Sequence, residues 1–314
     1  NAYTGSAIRV RREDDSTEQD IGFDSNGDLD ISALATFCAG TNGLLKTWYD
    51  QSGSNDATQA TPGNQPKIYD SATGVMTDNG KPAALFTGNY LTSGAVSATG
   101  TATNFVVAHV DGGSGNRVMF YTPEIFAFRR PSDFAFLTQS TQVSYASVNL
   151  DDRNLHYFGA DSSQGFGAIN GAAITTNAQA AGSGTKIAIG TQSTNGIPFY
   201  GYIQECVYYN SDQSRNRTGI ETNINTEYAI YGQSPTGLLA DYPGAAAAYS
   251  LRQLISTANY AVAVRRDSDD AVLPIGFVNG ELDTTTLADF CSGTDGFVSV
   301  WFDQSGEDDR ATQT

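Results

Sequence analysis

One stretch of this 314-residue chain occurs twice, at an offset of 254 residues. Ile8-Arg9-Val10-Arg11-Arg12 returns as Val262-Ala263-Val264-Arg265-Arg266, and Ile21-Gly22-Phe23 as Ile275-Gly276-Phe277. From Gly27 to Gly53 the offset slips to 253, so that Trp48-Tyr49-Asp50-Gln51-Ser52-Gly53 returns as Trp301-Phe302-Asp303-Gln304-Ser305-Gly306. It recovers at Ala57-Thr58-Gln59, which matches Ala311-Thr312-Gln313. A unit this long is a whole domain and not a solenoid repeat. The second copy has a lead-in, Ala247 to Leu254, with no counterpart before the first. The expected organisation is a domain over 1–232 lacking its opening segment, a linker over 233–244, and the opening quarter of a second copy over 245–314. Such a chain reads as a window on a longer tandem array, its partial copy completed by a neighbouring copy through segment donation.

Within the first copy, short β-rich runs alternate with turn formers. Phe105-Val106-Val107-Ala108, Val118 to Tyr121, Val143 to Val148, Leu155 to Phe158 and Phe199 to Tyr209 are the clearest runs. Asp111-Gly112-Gly113, Asp151-Asp152, Asn170-Gly171 and Asn195-Gly196 separate them. Many strands at this spacing predict an all-β fold, an antiparallel β-sandwich or jelly roll, with one or two short helices. One helix is expected over Ile31 to Cys38, capped by Asp30 and repeated behind Asp283. The other is expected over Ser211 to Tyr231, with Ser211 as N-cap, Ile220, Ile224, Tyr228 and Tyr231 on one face, and Gly232 as its stop.

Charge narrows the partners. Seventeen basic residues, only four of them lysine, stand against 34 acidic ones, a net charge of −17. Nucleic acid and anionic membrane surfaces call for the opposite sign. No apolar run is long enough to span a bilayer. The three cysteines, Cys38, Cys206 and Cys291, match neither a disulfide framework nor a zinc site, and His109 and His156 lie far apart. Buried free thiols are expected, and no cofactor.

Three local patterns are candidates for binding. Trp48, Tyr49, Asp50 and Gln51 offer an aromatic face and hydroxyl-binding groups for a sugar, although a turn with Asp50 and Ser52 bonded to backbone is the commoner use of such residues. Asp24, Asn26 and Asp28 alternate oxygens as a calcium loop would. Leu29 and Ala35 stand where such a loop needs glycine and glutamate, so a hairpin turn into the Asp30 cap is favoured. Arg9, Arg11 and Arg12 beside Glu13, Asp14 and Asp15 predict a solvated edge strand with local ion pairs.

The segment from Phe37-Cys38 through Trp48-Tyr49-Asp50-Gln51-Ser52-Gly53 to Gln59 resembles the catalytic domain of the α-L-arabinofuranosidase B family, and Ala248 to Asp270 resembles that family's opening. The closing run Gln204 to Ser211 is similar to laminin-G-like modules, and related modules are familiar from phage structural and bacterial surface proteins. The resemblance implies a concanavalin A-like β-sandwich and a retaining glycosidase with two carboxylates. It places the family's acid/base aspartate in the loop Gly190-Thr191-Gln192-Ser193-Thr194-Asn195-Gly196, where this chain has Gln192, an amide that cannot exchange a proton as an acid does. The family's nucleophilic glutamate lies near a Cys-Cys pair that this chain lacks. Glu124 is the one glutamate between Glu18 and Glu205. The partner of Cys38 in the family's small disulfide loop is replaced by Gly43.

These substitutions lead to the expectation of a non-catalytic, lectin-like or structural module in a tandem array, on a virion or on a secreted surface protein. Its partners would be surface glycans or neighbouring copies, its setting extracellular or the virion surface, and its sugar contacts Trp48, Tyr49, Asp50, Gln51, Gln192 and Asn195. The alternative is a glycoside hydrolase of α-L-arabinofuranosidase type with relocated carboxylates, Glu124 together with Asp151, Asp152 or Asp161.

Overall fold

The computed structural model describes residues 3–111, 115–138, 141–146, 152–178, 180–192, 196–231, 237–278, 280–306 and 310–313. They form two compact units, Asn1–Gly232 and Gln233–Thr314.

The first unit is built around the nine-residue strand Ala102–Val110. It pairs antiparallel with Arg153–Ala160 on one side and Tyr200–Tyr209 on the other. Beyond Arg153–Ala160 come Gly165–Ile169 and Thr175–Asn177. Beyond Tyr200–Tyr209 come Ala84–Thr87, Lys67–Asp70, Gly43–Trp48, Ile8–Arg12 and Glu18–Ile21. A second run passes from Leu91–Ala95 through Lys186–Ile189, Arg117–Tyr121, Phe126–Arg129 and Phe134–Thr138 to Thr141–Ala146. The two-residue strand Ala57–Thr58 pairs with both runs and joins them. All these pairings are antiparallel, as the alternating pattern requires.

Side chains alternate across a strand, so Ala102–Val110 serves two cores. Val106, Ala108 and Val110 enter the main core with Phe120, Phe134, Phe136, Phe158 and Phe199. Phe105 and Val107 face the other way, against Leu155, Tyr157 and Ile224 of the helix Arg217–Tyr228. A strand covered on both faces has no polar face to show, hence its unbroken apolar run. Truncating a fully buried ring such as Phe158 removes packing worth about 3–5 kcal/mol.

The helix over Ile31–Phe37 has its expected cap, with the Ala33 amide donating to Asp30 Oδ1 at 2.8 Å. The later helix is shorter than its pattern suggested. It runs from Arg217 to Tyr228, because Asp212 and Ser214 bond to each other in a turn and the Ser211 carbonyl accepts from the Thr103 hydroxyl. It stops before Gly232, which lies outside the described residues. Ala229 takes the left-handed conformation (φ 48°) while the buried Asn225 Oδ1 accepts from the Ile230 and Tyr231 amides at 2.8 and 3.0 Å. The carboxamide satisfies amides that a glycine-terminated helix satisfies with backbone.

Ile8–Arg12 is an interior strand, paired on both sides, and not the solvated edge that its charges suggested. Arg9 does form a surface pair with Asp20, at 2.6 and 2.7 Å. Arg11 is instead buried, its Nε donating to Gln65 Oε1 at 2.9 Å.

In the second unit Val262–Arg266 pairs with Val272–Ile275 and Gly296–Trp301, and the last of these pairs with Ala311–Thr312. Val262 faces Trp301 with a register shift after Ala263, just as Ile8 faces Trp48 with a shift after Arg9. Asp283 caps the helix Thr284–Phe290 through the Thr286 amide at 2.9 Å. Within the stretch expected as linker, Leu238–Asp241 forms one helical turn.

Candidate active site

Strand register decides which carboxylates can act together. Ala102 pairs with Ala160 at one end of the central ladder, and His109 with Arg153 at the other. Seven residue steps separate the two ends, roughly 23 Å at ~3.3 Å per step. Asp161 follows Ala160 at the first end, and Asp152 precedes Arg153 at the second. Asp151 lies outside the described residues.

Glu124 belongs to the first end. It follows the strand Arg117–Tyr121 in the turn where the Thr122 amide donates to the Ile125 carbonyl at 3.0 Å. The residue is 1% exposed. The Thr99 amide donates to its Oε1 at 2.9 Å, and the Tyr208 hydroxyl lies 3.4 and 3.3 Å from its two oxygens. Burial pushes this carboxyl above the usual glutamate range, only partly offset by those hydrogen bonds. Burial and the adjacent carboxylate push the Tyr208 phenol up in turn.

A glycine-rich segment links Glu124 to Asp161. The Ala181 amide donates to the Asp161 carbonyl at 2.8 Å, and the next amide, Gly182, donates to the Glu124 carbonyl at 2.7 Å. Gly184 donates to the Pro123 carbonyl, also at 2.7 Å. A Cβ at Gly184 would stand 2.8 Å from the Tyr121 hydroxyl, so only glycine fits without a shift. The segment, Tyr121, Glu124, Phe126, Leu137 and Gln192 line one hollow of about 380 Å³. Asp161 differs from Glu124 in its surroundings. Partial burial works against its charge, but the hydroxyl and amide of Ser163 and the amide of Gln164 hold its carboxyl below the usual range.

The remaining sequence candidates are distributed elsewhere. Gln192 shares the Glu124 hollow and its backbone N–H donates to the Ile197 carbonyl at 3.2 Å, whereas Asn195 lies outside the described residues. Trp48 ends its strand half-buried against the main core, and the Tyr49 hydroxyl donates to Asp20 at 2.7 Å. Asp50 accepts from the Ser52 amide and hydroxyl and the Asn55 amide, while Gln51 is exposed. In the second unit the matching Gln304 is 4% exposed and clamps backbone: its amide donates to the Ser250 and Arg252 carbonyls and its oxygen accepts from the Leu254 amide. Asp303 holds the Ala248 amide beside it. In that unit the motif is a turn that grips a chain segment. Asp24 likewise accepts from the Asn26 and Asp28 amides in a hairpin turn. Among the described residues no group of three or more His, Cys, Asp or Glu is placed to hold a metal ion.

Sequence reasoning missed Thr99 and Tyr208, the groups that hold the Glu124 carboxyl. No local signal marks them, since one is 25 and the other 84 residues away along the chain.

Comparison with known proteins now bears on this hollow. Residues 1–109 match the family model for the catalytic domain of alpha-L-arabinofuranosidase B. The opening third of the chain is similar to an arabinofuranosidase. A probable alpha-L-arabinofuranosidase B of Aspergillus flavus is 42% identical over 93 residues, 26% of this chain and 18% of that protein. An alpha-L-arabinofuranosidase of Hypocrea jecorina is 44% identical over 64 residues, 20% of this chain and 13% of that protein. The matches thus span less than a fifth of these relatives' lengths. The fold resemblance reaches further. A GH54 a-l-arabinofuranosidase soaked with a cyclic sulfate inhibitor superposes with a TM-score of 0.52 at 16% identity, covering 96% of this chain and 77% of that one. An arabinofuranosidase complexed with arabinofuranosyl-alpha-1,2-xylobiose gives 0.50 at 18% identity, over 88% and 67%.

These likenesses correct the expectation of a non-catalytic module of a virion or surface array, because the proteins resembled are named as glycoside hydrolases. Gln192 cannot transfer a proton, but the hollow that it lines also has Glu124 in its wall.

Proposed function

We propose that the chain carries a glycoside hydrolase domain acting on α-L-arabinofuranosides, with Glu124 as its acid/base and Asp161 as its nucleophile. The observation that carries this reading is the buried Glu124, with its carboxyl raised above the usual range, in the wall of the hollow that Gln192 also lines. Two carboxyls whose surroundings push them in opposite directions are the usual mark of an acid working beside an ionised partner. Glu124 suits the acid, and Asp161, which stands outside the lining of the hollow but is tied to its glycine-rich segment through the Ala181 amide, suits the ionised group.

In the retaining course, the proton on Glu124 passes to the glycosidic oxygen as the bond to the anomeric carbon breaks. The Asp161 carboxylate takes up the anomeric carbon. Water then displaces Asp161 and returns a proton to Glu124, releasing the sugar with its configuration retained. The partner is a glycan bearing arabinofuranosyl groups, and an acidic chain with four lysines fits an extracellular setting.

Incubating the full chain with an arabinofuranosyl-substituted polysaccharide tests this directly. Free arabinose is expected by chromatography from the unaltered chain, and its release should fall about 10²–10⁴-fold in Glu124→Gln. No arabinose from the unaltered chain, or equal release from the variant, overturns the reading.

A further inference from the structure

The strand Tyr200–Tyr209 does not alternate regularly. Against Ala102–Val110 its register slips by one, with Val107 facing Glu205 and Ala108 facing Ile203, so that Gln204 is an extra residue without a partner across the ladder. A bulge of this kind reverses the alternation beyond it and re-aims the later side chains. Ile203 lies in the main core before the slip. After it Cys206 and Tyr208 pack on that core, while Val207 and Tyr209 pack on the helix side. A regular strand would have sent Tyr209 to the main core and turned Tyr208 away. The bulge is held in place, since Gln204 is buried with its Nε2 at 3.2, 3.3 and 3.4 Å from the carbonyls of Asp78, Lys81 and Pro82.

The re-aimed phenol meets Glu124. Its hydroxyl stands 3.4 and 3.3 Å from the two carboxyl oxygens, and the Thr99 amide holds Oε1 from the segment before the central strand. The carboxyl is thus held from two elements. No second charge takes part: among the described residues lining the hollow Glu124 alone can carry one, and Tyr121 is the other titratable group.

We propose that Tyr208 is a positioning residue for the acid, holding the Glu124 carboxyl in the orientation from which it gives up its proton. The consequence for catalysis rests on the hydrolase reading above; the contact itself does not. As a donor to the ionised carboxylate, the hydroxyl works against the effect of burial on that group. Removing it lets Glu124 stay protonated to higher pH, which displaces the alkaline limb of activity upward. The carboxyl also loses a constraint, which slows the chemical step.

Tyr208→Phe and Tyr209→Phe, made in the full chain, separate this role from a structural one. With 4-nitrophenyl α-L-arabinofuranoside, Tyr208→Phe should show kcat about tenfold lower, KM within about twofold, and an alkaline limb at higher pH. Tyr209→Phe, one residue on and packed on the other core, should leave the limb in place. An unmoved limb in Tyr208→Phe, or an equal displacement in both variants, overturns the proposal. A second readout needs no turnover. The Glu124 carboxyl carbon, identified in NMR spectra by its loss in Glu124→Gln, should titrate at higher pH in Tyr208→Phe. If the unaltered chain hydrolyses nothing and that titration still moves, the hydrolase reading fails and the hold of Tyr208 on the carboxyl stands. If the chain hydrolyses the arabinofuranoside and the titration does not move, the positioning role fails alone.

Discussion

Glu124 and Asp161 are tied to consecutive amides of one segment, Gly182 donating to the carbonyl of the first and Ala181 to that of the second. Asp161 sits at the end of Arg153–Ala160, and Thr99, whose amide holds the Glu124 carboxyl, precedes the start of the neighbouring Ala102–Val110. The antiparallel register between these strands therefore fixes the pair and sets Asp152 a strand length away.

The Glu124 carboxyl makes stability depend on pH. Its folded pKa is raised by burial, so the unfolded chain gives up this proton more readily than the folded one. The contribution is fully present below the ordinary glutamate pKa, about 4.3, and is lost as pH rises through the raised value. Glu124→Gln keeps the shape and removes the titration. The variant is expected to melt higher than the unaltered chain at pH 7, with the difference vanishing near pH 4. A calorimetric series across that range checks it, and a difference independent of pH contradicts it.

Gly43 stands against Cys38, whose thiol burial pushes up to about 11. A Cβ at Gly43 would fall 2.5 Å from Cys38 Sγ, and Gly296 has the same relation to Cys291. Gly43→Cys is expected to close a disulfide with Cys38 under oxidising conditions. So short a loop contributes about 2 kcal/mol on the chain-entropy account. Thiol titration reads the outcome: oxidised Gly43→Cys should show one free thiol fewer than the three cysteines of the unaltered chain. Crowding by Tyr69 and Val10, within 3.0 and 3.1 Å of that Cβ, is what the bond must overcome.

Gln304 and Gln51 occupy the same place in the two copies and should respond differently to truncation. Gln304→Ala leaves the Leu254 amide and two carbonyls without their partner, a cost of about 1–3 kcal/mol to the second unit. Gln51→Ala removes an exposed side chain and should stay within about 0.5 kcal/mol. Hydrogen exchange at the Leu254 amide should accelerate in the first variant alone.

Much of the sandwich is legible in the chain, because period-two patterning and turn residues act locally. Asp30 and Asp283 can be read as caps for the same reason. The misjudged features depend on partners distant in sequence. Arg11 looks solvated until Gln65 is brought to it from 54 residues away, and the helix expected to run to Tyr231 ends at Tyr228 because Asn225 folds back on amides beyond it. The choice between Asp152 and Asp161 was equally out of reach, since only the strand register separates their two ends. Gln192 lines the Glu124 hollow. Its place in the sequence gave no sign of that.

The pH–rate profile should follow from the same two carboxyls. Activity needs Asp161 ionised and Glu124 protonated, so the acid limb reports the lowered group and the alkaline limb the raised one. A bell centred on the acidic side of neutrality is expected, and Asp161→Asn should abolish the activity altogether. Full activity persisting to pH 9 is incompatible with Glu124 as the acid.

The most direct test is the release of nitrophenol from 4-nitrophenyl α-L-arabinofuranoside by the full chain and by Glu124→Gln, measured side by side with matched folding. Steady release by the first and a loss of at least a hundredfold in the second is the predicted result. Equal rates, or no release by either, would contradict a hydrolase centred on Glu124.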